Sequence, residues 1–481
     1  MKFLCIGHDR ETAVRDMLIS LLPDEKHEIT SEDICADGLC RTSATEKDGT
    51  VFAKAELFIE GGVFTGECTE KLSDRSDVEN KRAVSFAVKT ALYKALVKIL
   101  PQRPPWGSLT GVKPAKPARF FMAEGGTKKE CEEWLKDRYF VSEKRAKLCV
   151  EAAAYALSAE RSLKKREVQL YVGIPFCPSK CLYCSFVSND VKSWGHLIEP
   201  YFNALLSEIE AVGGMFYREG LSVGSVYIGG GTPTVLSADG LKELIERIKG
   251  SFDLSGCREF TVEAGRPDTI NKDKLKVFDR LGISRISINP QSMNDGVLIA
   301  SGRRHTAEDV RRAYALARET GRFTVNMDLI AGLPSDDGEG LLKSTEELIS
   351  MGPENITVHC LARKKGAPLR FGARGELKEE ELDACHDLLI SAGYEPYYLY
   401  RQKYSAGGLE NVGFCREGLA SFYNICMMEE IGDTVALGSG GISKLQPEKD
   451  GKIVRICNPK YPLEYIERIG TIRDKKSKIC F

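Results

Sequence analysis

The chain has 481 residues, a net charge of −1 and a pI near 6.6, so it carries no global attraction for nucleic acid or anionic membrane. Its apolar and charged fractions, 42% and 28%, are those of an ordinary soluble protein of two or three domains. The opening residues, Met1-Lys-Phe-Leu-Cys-Ile-Gly-His, form too short an apolar run for a signal peptide, and no stretch approaches a membrane span. Sixteen cysteines in such a chain are expected to stay reduced in the cytoplasm, and so many thiols fit an anaerobic host.

Residues 1–100 predict an α+β accessory domain. Met1–Ile6 and Val51–Ile59 read as strands, and Glu11–Leu22 has helical spacing. Lys81–Leu100 predicts a long amphipathic helix with Val84, Phe86, Ala87, Ala91, Leu92, Leu96 and Ile99 on one side. Residues 101–166 predict a connector followed by helices. Five prolines and two glycines between Pro101 and Pro117 exclude a regular element there.

From residue 167 to 393 strands alternate with helices. Strands are predicted at 168–174, 223–229, 258–263, 284–289, 323–330 and 354–359. Helices are predicted at 197–213, 238–250, 271–281, 306–321, 338–351 and 378–392. Short apolar strands in this alternation predict a parallel sheet flanked by helices, with reactive groups at the carboxyl ends of the strands. The repeat stops near Tyr394, and residues 394–481 predict a separate carboxyl-terminal region able to act as a lid.

The first of these strands runs into Pro175-Phe-Cys177-Pro-Ser-Lys-Cys181-Leu-Tyr183-Cys184. Three thiolates on one short loop can hold three irons of a cubane and leave the fourth iron open. Structural zinc usually takes four protein ligands, and the chain has no second Cys-x2-Cys; three unligated thiols are the third reading. The second strand ends in Gly229-Gly230-Gly231-Thr232, either a tight turn or a backbone surface with free N–H and C=O groups for a small zwitterion. Glu263 closes the third strand, as a solvent-facing or a ligand group, and Gln291 closes the fourth. Asp328 lies in an apolar strand and needs a partner. His305 reads equally as a proton donor or as a structural histidine at a helix start. Tyr171 reads as a core aromatic or as a ligand contact.

Cys-x3-Cys-x2-Cys with Tyr183 before its last cysteine resembles the signature of the radical S-adenosylmethionine (SAM) superfamily. Leu170-Tyr-Val-Gly-Ile-Pro-Phe-Cys177 resembles the oxygen-independent coproporphyrinogen III oxidase family. Pro105-Trp-Gly-Ser-Leu-Thr-Gly-Val-Lys-Pro114 and the glycine-bearing segments after Tyr400 resemble the HemZ-type coproporphyrinogen dehydrogenases over nearly the whole chain.

The resemblance implies an α/β fold, a partial (β/α)6 radical SAM barrel with an N-terminal α+β domain and a C-terminal extension. It implies a [4Fe-4S] cluster on Cys177, Cys181 and Cys184. It implies SAM contacts from Tyr171, Tyr183, Gly230, Gly231, Thr232, Glu263, Gln291, Arg303, Asp328 and Ala362. The activity implied is oxidative decarboxylation of coproporphyrinogen III propionates to vinyls, giving protoporphyrinogen IX. Such a reaction takes a porphyrinogen substrate and an electron donor such as flavodoxin or ferredoxin, with no nucleic acid and no membrane span.

The basic run Arg363, Lys364, Lys365, Arg370 and Arg374 reads as a solvated loop or as a grip on substrate carboxylates. The sequence departs from the oxidase pattern at Gly173, where a histidine is common, and at Phe186, where a fourth cysteine stands. Two other activities use the same scaffold: a haem-binding chaperone and a radical SAM methyltransferase acting on haem. The His-Asn…Tyr-Trp string of the chaperones does not occur after residue 394.

Overall fold

The computed structural model describes all residues except 24, 33–36, 74–76, 187, 363–366, 370–376, 404, 406–407, 447–451 and 480–481. Arg363, Lys364, Lys365, Arg370 and Arg374 therefore lie outside the described residues. The chain divides into two units, Met1–Glu151 with Tyr400–Gly408, and Ala152–Leu399 with Leu409–Phe481.

The first unit is built on a five-stranded sheet. In chain order its elements are β1 (Lys2–Ile6), α1 (Glu11–Leu21), β2 (Glu28–Ile29), β3 (Leu39–Lys47), β4 (Thr50–Ile59), β5 (Gly62–Lys71) and α2 (Asp77–Leu96). The strands lie in the order β2-β1-β3-β4-β5. Alternate residues of β4 (Val51, Ala53, Ala55, Leu57) enter a core with Phe3 of β1, Val14 and Leu18 of α1, and Val88 and Leu92 of α2. Gly66 lets α2 lie directly on β5, since a Cβ there would meet the Ala91 carbonyl oxygen at 2.1 Å. Helix α2 starts four residues before the predicted Lys81, with Asp77 and Glu79 facing its positive end. It stops at Leu96, ahead of Pro101, so Ile99 packs on the core from outside the helix.

Three further helices follow, α3 (Ala115–Ala123), α4 (Lys128–Tyr139) and α5 (Glu143–Ser162). Helix α3 begins inside the stretch predicted to be irregular. Pro117 falls in its first turn, where the missing N–H has no intrahelical acceptor to lose.

The second unit is an eleven-stranded sheet with helices outside it. Its parallel core is β6 (Glu167–Ile174), β9 (Ser222–Gly230), β10 (Glu259–Glu263), β11 (Arg285–Ser287), β12 (Thr324–Ala331) and β13 (Asn355–Cys360). Between β6 and β9 stand β7 (Phe176–Cys177), β8 (Asn189–Asp190), α6 (Val191–Trp194) and α7 (Ile198–Glu219). Helices α8 (Ala238–Ser251), α9 (Lys272–Arg280), α10 (Asp295–Ala300), α11 (Ala307–Thr320) and α12 (Gly338–Met351) make the remaining crossovers. The six core strands neighbour one another in chain order, as one-handed strand–helix units require. This is a partial (β/α)6 barrel.

The carboxyl-terminal residues extend the same sheet. After α13 (Glu379–Ser391), strands β14 (Glu395–Arg401) and β15 (Glu410–Cys415) extend the β13 edge, β15 antiparallel to it. Helix α14 (Phe422–Glu429) then leads to β16 (Asp433–Leu437), which pairs parallel with β6 at the other end of the arc. Strands β17 (Ile442–Leu445) and β18 (Val454–Cys457) and helices α15 (Pro462–Glu467) and α16 (Ile469–Lys476) follow.

Residues 416–432 therefore cross from one end of the arc to the other. Glu259, at the amino end of β10, anchors the crossing. It accepts hydrogen bonds from the Ser421 hydroxyl (2.8 Å) and from the backbone N–H groups of Phe422 (3.0 Å) and Tyr423 (3.3 Å), while Arg285 pairs with it at 3.3 Å. A carboxylate on the first turn of α14 satisfies N–H groups that have no partner inside the helix.

Candidate active site

All six core strands point their carboxyl ends the same way, and the cysteine loop leaves β6 at that end. The loop is tied down from three sides. Asn189 donates its backbone N–H to Pro175 (2.8 Å), the Thr232 hydroxyl reaches the Cys177 sulfur (3.4 Å), and the Leu182 N–H meets the Ser301 carbonyl (3.1 Å). Cys181 is buried, and Cys177 and Cys184 are half-buried. Burial raises the Cys177 and Cys184 thiols above their ordinary range, opposed at Cys177 by the Thr232 hydroxyl.

The glycine segment approaches this loop closely. A Cβ on Gly231 would stand 2.5 Å from the Phe176 carbonyl oxygen and 3.0 Å from the Cys177 sulfur, and Gly230 has φ +111°. The N–H groups of Gly230, Gly231 and Thr232 are all taken within the protein. Gly230 donates to Glu263 (3.2 Å), Gly231 to the Ile174 carbonyl (2.8 Å) and Thr232 to the Phe176 carbonyl (2.8 Å). The segment spends them on holding the cysteine loop.

Glu263 sits among aromatic rings. Its carboxylate accepts a short hydrogen bond from the Tyr227 hydroxyl as well as the one from Gly230. Burial, and then the negative charge of Asp328, push its pKa up to about 7 against these hydrogen bonds. Tyr227 stacks between Tyr171 (6.3 Å) and Tyr423 of α14 (4.5 Å). Asp328 accepts from the Asn326 amide (2.8 Å) and lies 3.8 Å from His359. Burial would raise its pKa, but His359, Asn326 and Thr357 outweigh that and keep it below the usual carboxylate range.

Gln291 is held in the left-handed region, φ +72°, by backbone hydrogen bonds to β12 on either side of Leu329: its N–H donates to the Asp328 carbonyl (2.8 Å) and its carbonyl accepts from Ile330 (2.9 Å). Such a conformation costs a non-glycine residue about 1–3 kcal/mol and is kept where the surroundings fix it. The Gln291 side-chain oxygen, like that of neighbouring Asn289, is buried without a hydrogen-bond partner among the described residues. Arg303, 6% exposed, reaches the Tyr183 hydroxyl (3.0 Å), the Cys181 sulfur (3.7 Å) and the carbonyls of Gly265 (3.1 Å) and Asn289 (2.7 Å). It also donates to His305 Nδ1 (3.4 Å). Burial and the nearby Arg303 and Arg266 charges lower the His305 pKa to about 4, so the ring is neutral at neutral pH and has no extra proton to give.

The structure thus joins Tyr171, Gly230, Glu263 and Asp328 in one group. Tyr183, Arg303 and Cys181 form a second, Gly231 and Thr232 pack on Cys177, and Gln291 is tied to Asp328 through backbone. Ala362, half-buried, lies two residues beyond β13 at the same end of the sheet. Tyr227, Tyr423, His359 and Arg266 belong to the site and carry no signal in the sequence: lone aromatics in or near apolar strands read as core.

Gly173 and Phe186, the two departures from the oxidase pattern, have distinct settings. A Cβ on Gly173 would stand 3.3 Å from both the Ser439 carbonyl oxygen and the Tyr171 ring, so the turn after β16 fills that space. Phe186 is largely exposed.

These residues fit a cluster and a small zwitterion. Among the described residues no three His, Cys, Asp or Glu side chains converge on a single metal ion. A cubane instead offers three separate irons to three thiolates. Two guanidinium groups face the Cys181 sulfur, as suits a thiolate-bound anionic group. The unpartnered oxygens of Asn289 and Gln291 and the carboxylates of Glu263 and Asp328 suit a cationic, hydrogen-bonding ligand beside it.

Residues 171–346 match the Radical SAM superfamily. The chain is 38% identical to the oxygen-independent coproporphyrinogen-III oxidase-like protein HemZ of Bacillus subtilis, over 78% of this chain and 76% of that protein. It is 28% identical to the heme chaperone HemW of Escherichia coli, over 63% of this chain and 77% of that one. Its fold matches that of the coproporphyrinogen III oxidase HemN of Escherichia coli with a TM-score of 0.51 at 22% identity, covering 66% of this chain and 72% of the other.

The fold is that of a radical SAM protein, and membership of the superfamily brings a [4Fe-4S] cluster and SAM as cofactors. Within that superfamily the chain belongs to the HemZ family of oxygen-independent coproporphyrinogen-III oxidase-like proteins.

Proposed function

We propose that the protein catalyses oxygen-independent oxidative decarboxylation of coproporphyrinogen III, converting two propionates to vinyl groups. The relationship to HemZ over about three quarters of both chains carries this reading. Cys177, Cys181 and Cys184 hold the cluster in it, and the glycine segment braces their loop. When bound, the cluster and SAM supply one-electron cleavage and a radical able to take hydrogen from a propionate β-carbon.

The remaining work falls to this chain. Glu263 and Asp328 receive the cationic groups of SAM, and Gln291 and Asn289 offer their unpaired oxygens. Arg303, which reaches the Tyr183 hydroxyl and the Cys181 sulfur, would hold the carboxylate end of SAM. The Tyr171–Tyr227–Tyr423 stack and α14 exclude water from beneath the site. The electron donor in this reading is a flavodoxin or ferredoxin in type.

The relationship to HemW supports a second reading, a haem-binding chaperone. The two separate in one anaerobic assay. The reconstituted protein is given dithionite, SAM and coproporphyrinogen III, and 5′-deoxyadenosine and porphyrin mass are followed together. Deoxyadenosine with loss of two carboxyl groups is the expected result. Deoxyadenosine with unchanged porphyrin would reject the substrate, and stoichiometric haem binding would then favour the chaperone. A porphyrin gaining a methyl group would identify a methyltransferase.

A further inference from the structure

We infer that Arg266 is a positioning residue for the cluster: it anchors the Cys181 end of the cysteine loop and sets the cluster's reduction potential through that one sulfur. The inference rests on the assignment of the cluster to Cys177, Cys181 and Cys184.

Arg266 follows β10 in Ala264-Gly265-Arg266-Pro267-Asp268 and is 3% exposed. A guanidinium this deep must spend its donors on partners. Asp268 takes two of them, at 3.1 Å from Nε and 3.3 Å from Nη2. The others cross to the cysteine loop. Nη2 donates to the Ser179 hydroxyl (3.1 Å), and Nη1 donates to the Ser179 carbonyl (3.3 Å) and lies 3.8 Å from the Cys181 sulfur. Arg266 therefore clamps the loop between its first two cysteines onto the end of β10.

The three sulfurs are not treated alike. Cys181 faces Arg266 from one side and Arg303, at 3.7 Å, from another. Cys177 has the neutral Thr232 hydroxyl in contact instead, with the Arg266 charge farther off. Hydrogen bonds and positive charge at a ligating sulfur favour the reduced, more negative cluster, which raises its potential. Asp268 works the other way, because its carboxylate offsets the Arg266 charge from the far side of the guanidinium. The pair gives two handles of opposite sign on one potential, and a purely structural clamp would supply neither.

The test uses the full chain, reconstituted anaerobically with iron and sulfide and titrated by EPR against dithionite. At a full [4Fe-4S] complement, Arg266→Gln should show a more negative midpoint than the parent, Arg266→Lys an intermediate one, and Asp268→Asn a more positive one. Midpoints equal to the parent in both Arg266→Gln and Asp268→Asn would overturn the inference. So would a loss of iron in Arg266→Gln with an unmoved midpoint in Asp268→Asn, which would leave Arg266 as a loop anchor alone. A parent protein that takes up no cluster would instead overturn the cysteine assignment on which the inference rests.

Discussion

Glu263 carries the clearest titration in the site. Its folded pKa of about 7 lies above the ordinary 4.5, so the native state holds this proton more tightly than the unfolded chain does. Stability contributed by the group is present below pH 4.5 and is lost as the pH rises through about 7. Glu263→Gln removes the titration and keeps a neutral hydrogen-bonding side chain. Without ligands, the variant and parent should unfold alike in urea near pH 4.5, and the variant should be more stable by about 3 kcal/mol above pH 7. A constant difference across that range would show that burial does not raise this carboxyl.

Gly231 tests the loop brace. Gly231→Ala places a Cβ against the Phe176 carbonyl and the Cys177 sulfur, so iron uptake should fall severalfold while the far-ultraviolet circular dichroism is retained. Normal uptake would show that the loop yields at no cost. At this scale the sequence is legible where residue type and place coincide: three cysteines on one loop, and acids and amides at strand ends. It is silent on Tyr227, which meets Glu263 36 residues away, and on His359, whose partner Asp328 is 31 residues back.

Among elements, apolar content decided what was readable. The core strands β6, β9 and β13 are buried along most of their length on both faces, while β12 alternates buried apolar residues with the half-buried Thr324, Asn326 and Asp328. Strands β3 (LCRTSATEK) and β5 (GVFTGECTEK) expose many of their side chains, and their Thr, Lys and Glu leave no apolar run to mark them. Strand β16 is five residues long, short enough to vanish between glycine-rich turns. The lid expected of the carboxyl-terminal region is, in its described residues, mostly sheet and a crossing helix. Glu259 is the hinge of that arrangement, and its side chain is buried. Glu259→Ala strands Arg285 and uncaps α14, so it should destabilise the second unit by about 3–5 kcal/mol in urea. A loss below about 1 kcal/mol would mean that the crossing helix is held by its apolar contacts alone.

For the molecule as a whole, the chain runs from the first unit into the second, back for Tyr400–Gly408, and into the second again. Every candidate site residue lies in the second unit. A fragment of residues 152–481, which keeps the second unit together with Tyr400–Gly408, should therefore take up iron in the same ratio as the full chain, measured after anaerobic reconstitution; a fragment that folds and takes up no iron would overturn that expectation. Each unit is assembled from two stretches of chain, the first from Met1–Glu151 and Tyr400–Gly408. Arg401 belongs to the first unit, donating to the Leu109 carbonyl (2.6 Å) and lying 5.6 Å from the Trp106 ring centre. The proline-rich stretch around Trp106 gave no hint of a partner almost 300 residues away, since nothing local encodes it.

The pairing of β16 with β6 also orders events in time. Until residue 437 has left the ribosome, the strand that carries the cysteine loop has β9 on one side and an open edge on the other. The turn at Gly438, which packs on Gly173 beneath that loop, is made later still. A nascent chain already displays all three cysteines while the ground under them is unfinished, so metal should be delivered after synthesis has passed this point. An iron source that acts on the growing chain would meet thiols without a socket.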